Sequence, residues 1–141
     1  MTLPQRITGN KIANWLGSNY MGIDGNRLIC TASPPVIPDS PDELVIVTML
    51  PGTGHDHERA FEVRSFQVRC RSMQNTPWIA EANSMGIDSL FNSMMMPWQP
   101  DGAYVIELGW TGGGPSPMPV DDAANRYSWV CTYYCKSATG Y

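Results

Sequence analysis

Between Phe61 and Ser72 apolar and polar positions alternate, with Phe66, Val68 and Cys70 interleaved with Gln67, Arg69 and Arg71. A period of two marks a strand with one wet face, and it turns the apolar set toward a core. The pattern breaks at Asn75-Thr76-Pro77. Beyond the proline, Ile79, Ala82, Gly86 and Leu90 recur at helical spacing, with Trp78, Met85 and Met94 at the edges of the stripe. This predicts a helix from Trp78 to about Met95. Gly86 weakens it, since a helical glycine costs about 1 kcal/mol relative to alanine; its bare backbone is read as allowing close packing on the sheet.

The same reading divides the rest of the chain. Pro4 to Tyr20 predicts a first helix, with Thr2 as N-cap, Ile7, Ile12, Trp15 and Leu16 near one face, and Gly17 and Gly22 ending it. Leu28 to Thr31 is a short extended piece. The prolines from Ser33 to Pro41 exclude regular helix or central strand, so 33–41 is a connector. Leu44 to Leu50 is β-branched and bounded by prolines, hence a strand. The loop 51–60 joins it to the strand from Phe61 as a hairpin. Ala103 to Trp110 reads as a strand with Tyr104, Ile106 and Leu108 on one face, followed by a Gly/Pro loop over 111–125. Arg126 to Lys136 carries bulk on both faces, as a central or partner-covered strand does. The expected fold is α+β: one domain, with a mostly antiparallel sheet of about four strands and two helices on one face.

Composition narrows the function. The 141 residues carry 16% charged side chains, below the roughly one quarter usual for soluble domains, which points to a partner-covered face. Acidic residues outnumber basic ones 13 to 9 and the pI is near 4.9, against tight binding of nucleic acid. No stretch approaches the roughly 20 apolar residues of a membrane span, and Met1 to Tyr20 has no signal-peptide core. A cytosolic protein without a membrane partner is expected. Cys30, Cys70, Cys131 and Cys135 form no Cys-x-x-Cys pair and are read as reduced, mostly buried thiols; Cys131 and Cys135 would lie roughly 13 Å apart along a strand, beyond disulfide reach.

Candidate chemistry is sparse. His55 and His57, two apart and followed by Glu58, point the same way on a strand and make a bidentate metal site geometrically open. No spacing marks a third or fourth ligand, so the solvated loop is preferred and no cofactor is expected. There is no Gly-x-Ser-x-Gly elbow, and Gly112-Gly113-Gly114 runs into Pro115 and Pro117 instead of a phosphate-binding lysine and helix. Arg64, Arg69 and Arg71 divide between the two faces of their strand. Asp121, Asp122 and Arg126 are read as a local ion pair fixing the turn into the last strand, with an exposed energy of about 0–1 kcal/mol.

The order of these elements resembles the tail-terminator or minor capsid proteins of long-tailed bacteriophages. The likeness rests on the N-terminal helix, the Pro-rich connector, the Arg-bearing strand Phe61 to Arg71, the Ala-containing helix, and a strand entering a Gly/Pro loop. It ends on Pro119-Val120-Asp121-Asp122, a short turn, Arg126 and an aromatic strand. It covers roughly residues 40–136; Ser72 to Asn75 and the Met94-Met95-Met96 run depart from the family pattern. The resemblance implies a structural virion protein, not an enzyme. Such a protein would be made in the host cytoplasm and would act at the head-tail interface. There it would form a hexameric ring that caps the tail tube, stops its polymerisation and meets the head connector or stopper protein, with genomic DNA passing its pore without specific binding. Assembly contacts would then fall to Arg64, Arg69, Arg71, His55, His57, Gly113 and Trp110, with Trp98, Met118 and Tyr141 as further exposed apolar candidates. The alternatives are a head-completion or stopper protein and a small metal-dependent enzyme using His55 and His57.

Overall fold

A computed structural model describes all residues except 1–4, 23–29, 33–36, 38, 40, 52–54, 57–59, 74, 119–125 and 140–141, and only the backbone of 55–56. Two long strands organise it. β4 (Phe61–Ser72) and β7 (Tyr127–Ala138) pair antiparallel along all twelve residues of each, from Phe61 opposite Ala138 to Ser72 opposite Tyr127. On the far side of β4, β2 (Leu44–Leu50) pairs with Ser65–Arg71, and the two-residue β3 (His55–Asp56) continues that edge opposite Phe61 and Glu62. On the far side of β7, β5 (Val105–Trp110) and the two-residue β6 (Ser116–Pro117) do the same. β1 (Cys30–Thr31) closes the other edge, giving the order β1-β2-β4-β7-β5.

The sheet therefore holds seven described strands instead of about four; it is mostly antiparallel, as expected, but mixed, with one parallel pair. β1 lies parallel to β2, Cys30 beside Val45 and Thr31 beside Ile46. A parallel pair needs a long crossover, and the stretch from Ala32 to Glu43 provides the length. The three additional strands have two residues each, too short to show alternation; one of them lies inside the Gly/Pro loop.

α1 runs from Gly9 to Asn19 and starts where Thr8 Oγ1 accepts a hydrogen bond from the Lys11 amide at 3.3 Å. It is shorter than the sequence suggests. The N-cap is Thr8, Ile7 is buried just ahead of it, and Gly17 lies inside the helix instead of ending it. α2 runs from Pro77 to Ser93, with the proline at the first turn, where its missing N–H leaves no bond unmade.

Both helices pack on the face of the sheet that carries Val45, Val47, Phe66, Val68, Cys131 and Tyr133. At its centre Phe91 meets Tyr133 edge-on at 5.0 Å, Trp98 at 5.5 Å and Phe66 at 6.0 Å between ring centroids. Trp98, expected on the surface, is 4% exposed. α2 buries Ala80, Asn83, Ser84, Ile87, Asp88 and Phe91, not the stripe of Ile79, Ala82, Gly86 and Leu90. Rotating the helix this way brings Asp88 against hydrogen-bond donors of the sheet, which compensates its burial. Gly86 faces Tyr20 at the end of α1: a Cβ there would sit 2.5 Å from the Tyr20 hydroxyl, so the close approach is between helices, not onto the sheet. In β5 a bulge between Val105 and Glu107 breaks the expected alternation. Val105 and Leu108 turn to the core and Ile106 is left 37% exposed.

Candidate assembly surfaces

The three arginines of β4 do different work. Arg64 lies on the helix-covered side and donates from Nη1 to the Ile7 carbonyl at 3.5 Å. Beside it Glu62, 4% exposed, takes a two-pronged ion pair from Arg6 at 2.7 and 2.8 Å, the planar geometry that suits guanidinium and carboxylate. These groups fasten the segment entering α1. Arg71 is 2% exposed and donates to the Asp42 carbonyl at 3.0 Å and the Pro41 carbonyl at 2.6 Å.

Arg126 works with Arg71. It is buried, and it reaches the Asp39 carbonyl at 2.6 Å, the Asp39 carboxylate at 3.1 Å and the Asp42 carboxylate at 3.3 Å. The two guanidinium groups thus clamp the end of the proline connector onto the sheet. These partners are distant in sequence; Asp121 and Asp122, the partners expected for an ion pair within the turn, lie outside the described residues. Arg69 is the one that stays available. It is half-buried on the face away from the helices, where Nε donates to Ser128 Oγ at 3.1 Å.

Trp110 is tied inward as well. Its indole N–H donates to Asp88 Oδ1 at 2.7 Å, and the Tyr133 hydroxyl donates to the same oxygen at 2.8 Å. Asn92 donates to Asp88 Oδ2 at 3.1 Å. Burial and the neighbouring Cys131 and Asp88 push the Tyr133 hydroxyl far above the usual tyrosine range, so it stays protonated as a donor. One carboxylate therefore joins α2 to β5 and β7. Sequence reasoning missed Asp88; the available signal was an acidic residue four before Asn92 on a helix otherwise almost free of charge. The Trp110 ring is still 46% exposed, with Gly114 against it, while Gly113 faces open space.

Nothing described here assembles a reaction centre. Burial raises Cys70 and Cys131 and pushes Cys135 up to about 12, which keeps these thiols protonated and unreactive. All four cysteines are free. Among the described residues no cluster of three His, Cys, Asp or Glu could hold a metal; the backbone of His55 pairs opposite Glu62, and the His55 side chain and His57 lie outside what is described. Among those residues, too, no helix is long and apolar enough to cross a membrane.

Two surfaces carry no covering helix or strand among the described residues. On the helix-free side of the sheet, cross-strand rows such as Leu50–Ser65–Tyr134 and Thr48–Gln67–Thr132 are half-buried and uncharged. Leu44, Ile46 and Arg71 on the same side are buried, at the end of the sheet where Arg71 holds Pro41 and Asp42. The second surface is the outward side of α2, where Trp78 is 62% and Met85 44% exposed. Apart from the buried Asp88, Glu81 is the only charge that α2 carries.

A family model described as bacteriophage tail terminator protein matches residues 17–138. No curated protein matches the chain. The match spans most of the sequence, and the chain belongs to the bacteriophage tail terminator family.

Proposed function

We propose, with that membership as the premise, that this protein closes the finished tail tube as a ring of six copies. The ring ends polymerisation of the tube and offers its other rim to the head connector or stopper protein. It acts in the virion by binding alone, with no catalytic step and no cofactor, after assembly in the host cytoplasm. The observation that carries the reading is the family match over 17–138. Two structural features support it. Uncovered surfaces of low charge suit subunit contacts, and two different surfaces on one chain are what a closed ring of head-to-tail contacts requires. The net charge of -4 also suits a pore through which DNA slides without being held.

The test is the mass of the purified protein by light scattering, alone and with tail tubes, with tube ends imaged by electron microscopy. About six copies at one end of each tube is the expected result. Bare tube ends together with binding to the head connector would overturn the terminator role in favour of a stopper.

A further inference from the structure

Among the described residues both helices lie on one side of the sheet, and on the other side Leu44, Ile46, Arg71 and Ser128 are buried at one end. On the helix-free side Gln67, Val130 and Thr132 are half-buried beside Arg69, and towards the far end Lys136 lies opposite Glu107, which accepts a hydrogen bond from the Tyr134 hydroxyl. Among the described residues Arg69 has no acidic partner, only the Ser128 hydroxyl. A contact that covered this face would take the guanidinium out of water, which is costly unless the covering surface brings a carboxylate. The outward side of α2 has the matching character. It presents Trp78 and Met85 as exposed apolar anchors and a single carboxylate, Glu81, which forms no ion pair among the described residues.

We propose that the outward face of α2 on one copy docks against the helix-free sheet face of the next copy, with Glu81 meeting Arg69. The occupant is a second copy of this chain because both halves of the contact are on it: Glu81 among apolar side chains and Arg69 beside uncharged ones, neither of them ion-paired among the described residues. The halves lie on opposite sides of the sheet. One copy therefore cannot satisfy itself, and the contact is head-to-tail, the kind that generates rings when its rotation closes. Docking gives the sheet a helix on its second face, a layer arrangement that buries both sides. Trp78 would be the main anchor, as exposed tryptophans commonly are in such contacts. The inference rests on the ring reading above and assigns its subunit surfaces.

Wild type, Glu81→Arg, Arg69→Glu and the double reversal are compared by light scattering, alone and on tail tubes, with melting curves recorded for each. Each single reversal sets like charges against each other and is expected to weaken ring formation at least roughly tenfold; the double reversal restores most of it. If a reversal unfolds the protein, Glu81→Gln and Arg69→Gln take its place, and the same direction of loss is expected. Wild type that stays monomeric and leaves tube ends bare removes the ring reading and this contact together. Wild-type rings that survive both single reversals overturn this contact alone, as does a double variant no better than the singles while all melt normally.

Discussion

On the helix-covered side of β4 and β7, Phe66, Val68, Cys131 and Tyr133 are at most 2% exposed, whereas on the opposite side Gln67, Arg69, Thr132 and Tyr134 are half-buried with no helix above them. The same two strands supply both sets, one residue out of step. The covered side is anchored by stacked and edge-on aromatic contacts and by the Asp88 junction. The open side has uncharged cross-strand rows through its middle, Lys136 opposite Glu107 towards one end, and in Arg69 a guanidinium without an acidic partner among the described residues. Stability and association are thus divided mainly between two faces of one sheet: most of what holds the monomer together lies on the face that cannot meet a partner, with the Arg71 clamp at one end of the other. Substitutions should separate the two.

The largest expected difference comes from removing bulk. Phe91→Ala takes away the ring that contacts Phe66, Trp98 and Tyr133 and should cost about 3–5 kcal/mol in urea unfolding, as truncation of a buried aromatic does. Thr132→Ala, in the middle of the open face, should stay within about 0.5 kcal/mol. Equal losses at the two positions would mean that the open face is part of the monomer's core after all.

A second pair tests the contrast on one face. Arg71 and Arg69 are two residues apart and point the same way, but Arg71 is buried on the carbonyls of Pro41 and Asp42 while Arg69, among the described residues, bonds the Ser128 hydroxyl. Arg71→Ala empties a buried position and removes both hydrogen bonds to the connector, at a cost of about 2–4 kcal/mol. Arg69→Ala should cost about 0–1 kcal/mol and be felt in assembly instead. Unfolding curves for both variants measure the difference directly, and a ranking in the opposite order would reverse the roles assigned to these two arginines.

Much of the covered face could be read in the sequence because alternation and helical spacing report burial. The strands Leu44–Leu50 and Phe61–Ser72, the final strand and the span of α2 followed from it. The rest failed for identifiable reasons. Two-residue strands are shorter than the pattern that reveals strands. The bulge at Val105/Glu107 shifts the inward positions by one. The buried stripe of α2 is partly polar, so choosing the most apolar stripe rotated the helix wrongly; Asn83, Ser84 and Asp88 are inside because donors and acceptors await them there. For the candidate surfaces, residue type alone could not tell a clamping arginine from a free one. Arg64, Arg71 and Arg126 are spent on carbonyls and carboxylates of segments distant in sequence, and only the fold brings those segments near.

The smallest expected effect sharpens the comparison through two glycines, one in each helix. Gly17 lies inside α1, and an added Cβ would meet nothing within 4 Å. Gly86 lies where α2 meets the end of α1, and the same methyl would come 2.5 Å from the Tyr20 hydroxyl and 3.1 Å from its ring. In both, alanine gains helix propensity, up to about 1 kcal/mol. At Gly17 nothing opposes that gain, so Gly17→Ala should raise stability by about 0.5–1 kcal/mol. At Gly86 the Tyr20 ring must move, straining its 3.1 Å hydrogen bond to Asn83, and the overpacking should turn the gain into a loss of about 1 kcal/mol. Melting curves of the two variants should therefore move in opposite directions from the wild type. A gain at both positions would show that the contact between helices yields readily, and that the rigidity of the covered side comes from the aromatic cluster and Asp88 without help from Tyr20.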